Sequence, residues 1–295
     1  MASLRFSSAF SLTRRRFLTA GIASAAGLAL YSGEIARHVI EITRPEIRLP
    51  NLPQAFDGFH IAQLSDIHLV GFTEPFFLRE AVDRINRLRP DAVFLTGDFV
   101  THEMLPHQWS IPVAWKCAGI LGDLECTQRY AVLGNHDVAV SASAVAEALA
   151  ASKITVLRNS FVALERGPSR IWLAGVDDPL EGHPNIDLAI PEFIRNRAGE
   201  PIFFLCHAPD FADSLLKHPA GSAVQLMLSG HTHGGQVRLP FVGPLNLPYL
   251  GKKYVEGIFQ LEGLQLYVNR GIGTVGVPFR LNCPPEITSM ILRRG

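Results

Sequence analysis

Short apolar runs alternate with helix-like segments from about Pro45 to the C-terminus. Brief apolar runs bounded by turn residues are typical of buried strands, and apolar residues three or four positions apart are typical of helices. The pattern predicts helices at 75–88, around 112–121 and at 141–151. The alternation favours one α/β domain over residues 45–295, without repeats or a low-complexity linker. The predicted strands lie at 59–64, 92–96, 130–133, 154–157, 161–164, 171–176, 201–206, 223–228, 264–268 and 287–292.

Five of the predicted strands end in a polar residue that can bind a metal ion or a phosphate. In open α/β sheets, ligands bind beyond the carboxyl ends of the strands. We therefore expect these five side chains to meet at one rim of the domain. They are Asp66, Asp98, Asn135, His207 and His231.

The first 36 residues differ from the rest of the chain. Arginines 14–16 precede an uncharged stretch, 17–33, and no acidic residue occurs before Glu34. A basic start followed by a short apolar run is typical of a secretory signal, and the run is short for a bilayer span of about 20 residues. Residues 13–18, TRRRFL, resemble the twin-arginine export motif. We expect residues 1–36 to be a twin-arginine-type signal or membrane anchor, with cleavage left open.

This segment predicts that the twin-arginine translocase is a partner and that the protein is membrane-associated or exported to the periplasm or cell envelope.

The composition of the chain argues against some classes of partner and some kinds of site. Lysine and arginine balance aspartate and glutamate at 27 each, so the formal net charge is zero. Because non-specific nucleic-acid binding depends on neutralising many phosphates, no nucleic-acid partner is expected. The four cysteines form no C-x-x-C pair, which argues against a zinc ribbon or a thioredoxin motif.

Each motif at the strand ends is weak by itself, because Asp-x-His and Gly-Asp occur by chance. The Gly-His-x-His segment 230–233 is more informative, since the two histidines of an extended His-x-His lie on the same side. The complete order is harder to obtain by accident. It runs Asp66-x-His68, Gly97-Asp98, Gly134-Asn135-His136-Asp137, His207 and Gly230-His231-x-His233.

This order of motifs closely resembles the calcineurin-like metallophosphoesterase superfamily, over about residues 59–292. The leader and segments 269–273, 278–280 and 284–287 resemble its exported or membrane-associated bacterial phosphodiesterases. That branch is related to enzymes acting on UDP-2,3-diacylglucosamine in lipid A synthesis. The resemblance implies an α/β fold, a four-layer αββα sandwich of two mixed β-sheets flanked by helices. It also implies a metal-dependent phosphoric ester hydrolase.

The resemblance further implies two divalent metal ions held by seven residues. A carboxylate can supply one oxygen to each of two cations about 3.5–4 Å apart, and Asp98 would form this bridge. The mixed nitrogen and oxygen donors favour Mn, Fe or Zn over Ca. The first metal would be held by Asp66, His68, Asp98 and His233, and the second by Asp98, Asn135, His207 and His231.

The resemblance assigns the chemistry to residues beside these ligands. His136 would contact the phosphate in protonated form, and Asp137 would orient its imidazole. The implied reaction is in-line attack by a metal-bridging hydroxide. Thr101 stands where many relatives have a second acidic residue. Because Asp98 itself would supply the bridge, we interpret this difference as a change in the residues next to the ligands and not as loss of the metal site. Arg270 could reach a substrate phosphate or form a structural ion pair.

The expected activity is that of a phosphodiesterase or pyrophosphohydrolase, with a lipid-linked substrate such as UDP-2,3-diacylglucosamine. Two alternatives stay open. One is a metal-binding scaffold of the same fold without turnover, and the other is a broad phosphatase or nuclease. A degraded site should lack His136 or a ligand, and none is missing in this chain.

Overall fold

A computed structural model describes residues 13–70, 74–102, 107–197 and 199–295 of the chain. The helix predicted at 75–88 is present. The second predicted helix begins at His107 rather than Pro112, and the third is extended back to Asn135. The helices are α1 (Arg14–Leu30), α2 (Glu74–Leu88), α3 (His107–Leu121), α4 (Asn135–Ala151), α5 (Ile186–Ala189), α6 (Glu192–Arg195) and α7 (Ala212–Lys217).

Every predicted strand has a counterpart, and short strands are added before the first of them and between residues 238 and 261. The described residues form the strands β1 (Glu41–Thr43), β2 (Glu46–Leu49), β3 (His60–Leu64), β4 (Ala92–Leu95), β5 (Arg129–Ala131), β6 (Thr155–Val156), β7 (Ser160–Arg166), β8 (Ser169–Gly175), β9 (Ile202–Leu205), β10 (Val224–Ser229), β11 (Arg238–Leu239), β12 (Gly243–Pro244), β13 (Gly257–Leu261), β14 (Leu264–Val268) and β15 (Glu286–Arg294).

Two mixed sheets form the centre of the molecule. The first has the order β1-β15-β3-β4-β5-β6, with β2 also paired to β15. Its strands β3 to β6 are parallel, and β15 runs antiparallel to β3. The second has the order β13-β14-β10-β9-β8-β7, with parallel strands at its centre and antiparallel pairs at both edges.

Apolar residues of the described chain form three clusters, which define the layers. The cluster between the sheets includes Phe94 of the first sheet and Phe203 of the second. Phe204, the next residue along β9, points away from the first sheet and packs in the cluster with Ile194 and Leu215. This alternation follows from the two-residue period of a strand. The third cluster joins the first sheet to α2, α3 and α4. The α/β fold with two mixed sheets between helices is therefore confirmed.

The N-terminal segment consists of the capped helix α1 and a turn that contacts the rest of the domain. The hydroxyl of Thr13 accepts a hydrogen bond from the Arg16 N–H at 3.4 Å and so caps α1. After α1 the chain turns, and the Ser32 carbonyl accepts from the Arg280 N–H at 3.0 Å. Within the described residues, no helix combines the length and apolar character needed to cross a membrane. The function predicted for residues 1–36 stays a prediction, and residues 1–12 lie outside the described part.

Candidate metal centre

The polar residues predicted to meet at one rim do so at the carboxyl ends of five parallel strands. The loop after β3 carries Asp66 and His68, and the loop after β4 carries Asp98. Asn135 opens α4 just after β5. From the second sheet, His207 follows β9, and His231 and His233 follow β10. Because β3, β4 and β5 are neighbours in one sheet and β9 and β10 are neighbours in the other, each sheet contributes one side of the site.

The ligand atoms lie in two overlapping groups. In the first, His233 Nε2 is 3.1 Å from His68 Nε2 and 3.5 Å from Asp66 Oδ1. In the second, His207 Nε2 lies 3.1 Å from Asp98 Oδ2 and 3.2 Å from His231 Nδ1. The same Asp98 oxygen is 3.4 Å from His68 Nε2, so it lies between the groups. All these residues are buried. The position of Asp98 Oδ2 between the two groups is the one that a bridging carboxylate requires.

Asn135 provides a direct test of whether the donors suit a cation. Its side-chain oxygen Oδ1 is buried and has no hydrogen-bond partner among the described residues. A buried polar group without a partner is costly, and such an orphan needs an explanation. A metal ion beside Oδ1 would supply the missing partner. The predicted ligand set therefore fits metal ions, and the mixture of imidazole nitrogen and oxygen donors suits Mn, Fe or Zn.

Hydrogen bonds on the outer side of three imidazoles fix the inward direction of their free nitrogens. His68 Nδ1 lies 3.1 Å from the Thr101 hydroxyl. His207 Nδ1 is 2.7 Å from the Thr96 carbonyl, and His231 Nε2 is 2.8 Å from the Tyr249 carbonyl. Partners of this kind set the ring orientation and tautomer of metal-binding histidines. Thr101 is thus a hydrogen-bond partner of the predicted ligand His68.

The predicted ligands differ in the direction in which the site shifts their pKa values. Burial opposes ionisation of both partners in the His207–Asp98 pair. Their mutual attraction nevertheless holds the pKa of Asp98 well below its usual range and raises the pKa of His207 well above it. Burial lowers the pKa of His231 to about 4 and also lowers that of His233. His231 and His233 are thus neutral, the form that binds metal, whereas His207 has to lose a proton when a metal ion binds.

The backbone of the site is held in a conformation that side-chain-bearing residues seldom adopt. Five predicted ligands have positive φ, and residues with a Cβ adopt that region mainly where the surrounding structure imposes it, often at functional sites. Gly134 is required for a different reason. A Cβ there would lie 2.2 Å from Asp98 Oδ1. The left-handed ligands are Asp66 (φ 48°), His68 (φ 47°), Asp98 (φ 56°), His231 (φ 72°) and His233 (φ 51°).

His136 lies beside the ligands and lines the central cavity. Its ring contacts the His68 ring with centroids 4.8 Å apart, and its Nδ1 accepts a hydrogen bond from the His102 N–H at 3.3 Å. This bond leaves Nε2 as the protonated nitrogen. Burial lowers the pKa of His136 to about 4, so the ring is neutral at pH 7. Without a bound phosphate, the ring is therefore a neutral N–H donor. The protonated form that the resemblance implies for the phosphate contact stays a prediction.

Asp137 does not orient the His136 ring, contrary to the sequence-based expectation. Its carboxylate accepts hydrogen bonds of 2.8–3.2 Å from four backbone N–H groups, which belong to Asp98, Phe99, Val100 and Gly134. These bonds tie the start of α4 to the loop after β4. Asp137 is a positioning residue that holds Asp98 and Asn135 at a fixed separation.

Arg270 is held in an ion-pair network. Its guanidinium lies 2.9 Å from Glu286 and 2.8 Å from Glu41. It is not among the described residues that line the cavity. Of the two roles considered for Arg270, the structural ion pair is the one that these contacts support.

Sequence reasoning missed two residues around the site, Arg280 and Asp178. Arg280 is fully buried, and its Nη2 lies 3.4 Å from His233 Nδ1. Asp178 caps a loop, because its Oδ1 accepts hydrogen bonds from the Leu180 and Glu181 N–H groups at 2.9 Å. Its Oδ2, however, is buried and unpartnered among the described residues, and burial raises its pKa to about 6. The available signal was its position just after β8, beside β9.

A cavity of about 670 Å³ opens over the ligands. Its floor carries ligands of both groups, together with His136. Its walls are largely apolar, and the exposed Val277 is part of them. The apolar wall residues are Leu180, Val237, Leu245, Pro248, Val275, Val277 and Phe279.

The fold and this set of side chains define a metallophosphoesterase, and residues 59–235 match the family model described as calcineurin-like phosphoesterase. The chain belongs to this family. It is a metal-dependent phosphoester hydrolase, and calcineurin-like phosphoesterases use two divalent metal ions.

Similar proteins extend the match beyond the family model. The chain is 35% identical over 295 residues to a Bacillus subtilis (strain 168) protein described as uncharacterized metallophosphoesterase YkuE, covering 96% of this chain and 98% of the relative. It is 31% identical over 288 residues to phosphodiesterase YaeI of Escherichia coli (strain K12), covering 95% and 99%. UDP-2,3-diacylglucosamine pyrophosphatase LpxG of Chlamydia trachomatis (serovar D) is 26% identical over 317 residues, covering 88% and 92%.

Proposed function

We propose that the chain is a phosphodiesterase or pyrophosphohydrolase whose substrate carries an acyl chain beside the scissile phosphate. The observation that carries this proposal is the composition of the cavity. Its floor is polar and holds the ligands, whereas its walls are apolar. A site of this kind suits an amphiphile whose phosphate contacts the floor and whose hydrocarbon contacts the walls.

Two bound cations would lower the pKa of a water molecule and neutralise charge on the phosphoryl oxygens. The chain's own residues do the rest. Asp98 and Asn135 are fixed by the Asp137 bonds, so the floor is organised before substrate binds. The neutral His136 ring presents its Nε2–H as a donor to a phosphoryl oxygen or to the leaving group. Burial of the floor strengthens each of these contacts.

Two relatives support the choice of substrate class. The relative in Escherichia coli is described as a phosphodiesterase, and the relative in Chlamydia as a pyrophosphatase of a diacylated nucleotide sugar. We carry these substrate classes to this chain because its cavity has the apolar walls that an acylated substrate requires.

A matched pair of substrates tests the proposal. With Mn²⁺, the purified chain should hydrolyse UDP-2,3-diacylglucosamine with a kcat/KM about tenfold or more above that for UDP-N-acetylglucosamine. The two share the pyrophosphate, but only the first can bury long acyl chains. Val277→Asp should remove this preference and leave hydrolysis of bis(4-nitrophenyl) phosphate unchanged. Ile258→Asp is the control, because Ile258 is similarly exposed and lies on β13, away from the cavity lining.

The outcomes separate the two parts of the proposal. Equal rates on the two nucleotide sugars would contradict the acyl-chain specificity and leave the hydrolase intact. Hydrolysis of the aryl phosphodiester alone would instead identify a broad phosphodiesterase.

We also propose that residues 1–36 direct the chain to the membrane or the cell envelope through the twin-arginine translocase. The support is the sequence: Arg14 and Arg15 precede Phe17 and Leu18, and the stretch that follows is uncharged. Arg14→Lys with Arg15→Lys should retain the protein in the cytoplasm with its hydrolase activity intact. Arg16→Lys is the control, since it has the same chemistry at the neighbouring position. Protease accessibility that places the double variant outside the cytoplasmic membrane, as for the native chain, would show that Arg14 and Arg15 do not direct export.

A further inference from the structure

A short hairpin beside the cavity carries an apolar tip in solvent. Strands β11 and β12 are joined by a turn in which the Val242 N–H donates to the Leu239 carbonyl at 3.3 Å. Phe241 is fully exposed, and Val242 is 70% exposed. Phe241 also has φ 65°, in a turn whose third position usually favours glycine. The chain therefore holds a large apolar side chain in water at a position that does not favour it.

The hairpin separates the metal cavity from a second, apolar groove. Leu245, just beyond β12, lines the cavity. Leu239, on β11, lines a groove of about 300 Å³ together with Leu28 of α1. Val237 and Phe279 line both. One apolar surface therefore continues from α1, across the base of the hairpin, to the mouth of the metal cavity.

Helix α1 adds to this surface and gives it a charged border. In the described structure none of its residues is buried, although from Phe17 onward it contains no charged residue. Its large apolar side chains, which include Phe17, Ile22 and Leu28, are each at least half exposed. A helix that is apolar on all sides normally lies in an apolar environment. The basic residues 14–16 lie at its start.

We propose that α1 and the hairpin tip form one lipid-binding surface, which docks the mouth of the metal cavity onto a bilayer containing anionic phospholipid. The lipid-binding surface is defined by Leu28, Leu239, Phe241, Val242 and Leu245. A protein partner would cover one side of α1, whereas acyl chains and headgroups can surround it. Anionic headgroups complement the basic residues 14–16. The inference goes beyond the proposed function, because docking does not depend on hydrolysis.

Phe241→Trp tests whether the tip enters the bilayer. The full chain is mixed with vesicles of phosphatidylcholine and phosphatidylglycerol, with or without brominated acyl chains. Relative to the native chain with its three tryptophans, the variant should show additional emission that is blue-shifted and quenched by the brominated lipid. Leu188→Trp is the control, because Leu188 is exposed on α5 and lines neither the cavity nor the groove. Its added emission should not be quenched.

A second variant measures the contribution of the tip to binding. Phe241→Asp with Val242→Asp should weaken co-sedimentation with the same vesicles by about tenfold or more, since two apolar side chains can no longer insert. Leu188→Asp should leave co-sedimentation unchanged. All three chains should hydrolyse soluble bis(4-nitrophenyl) phosphate equally, which separates this test from that of the proposed function. Absence of vesicle binding by the native chain, or binding with no quenching at position 241, would overturn the proposal.

Discussion

Among the single side chains of the site, Asp98 is the one that lies between the two groups of ligands. Its Oδ2 lies 3.4 Å from the Nε2 of His68 and 3.1 Å from that of His207. Its Oδ1 accepts a hydrogen bond from the His136 N–H at 3.0 Å. Asp98 therefore contacts both groups of ligands and the start of α4. The His136 ring lies beside these atoms, and we assign it no metal.

This division of roles predicts different defects for two substitutions. His136→Ala should lower kcat by about 100-fold or more, the usual range for loss of an acid–base or donor group, while metal content stays near that of the native chain. Asp98→Ala should reduce the metal content itself, because the carboxylate between the two groups is lost. Metal analysis and kinetics on the same preparations measure both effects. Equal loss of metal from the two variants would contradict the assignment.

The identities of the site residues could be predicted from the sequence, whereas their contacts could not. Asp66, His68 and His233 come together as the order of motifs implied. Asp137 was expected to contact an imidazole, but it accepts from backbone N–H groups, which no sequence pattern specifies. The neutral state of His136 also depends on burial, which is known only once the fold is assembled.

At the scale of elements, strand ends were predictable and helix starts were less so. The apolar runs that end at Asp66, Asp98, His207 and His231 are β3, β4, β9 and β10, because buried parallel strands have a clear apolar signature. The start of α4 was placed at Ser141, where the backbone is extended, with φ 178° and ψ 102°. The turn from Asn135 before this break is polar. It is held by Asp137 and Asp98 rather than by apolar periodicity.

Short elements at the edges of the molecule were harder to predict. Strands β11 and β12 contain two residues each, too few for a period to be read. They form the hairpin with the exposed Phe241. Apolar residues at its tip would be interpreted from sequence as core, and only the structure places them in solvent.

At the scale of the whole molecule, the site depends on both sheets at once. The first sheet supplies Asp66, Asp98 and Asn135, and the second supplies His207 and His231. The apolar layer between the sheets, which includes Phe94 and Phe203, fixes their separation. The loops that bring the two sides together carry the backbone strain. Metal ions bound between the two sides would link them, so their binding should also stabilise the fold.

Metal content and activity, measured together, test the central claim most directly. The native chain is stripped with a chelator until metal analysis finds none, and hydrolysis of bis(4-nitrophenyl) phosphate is followed as Mn²⁺ is returned. We predict that activity is absent in the stripped protein and returns as the metal content approaches two ions per chain. Undiminished hydrolysis by metal-free protein would contradict the account.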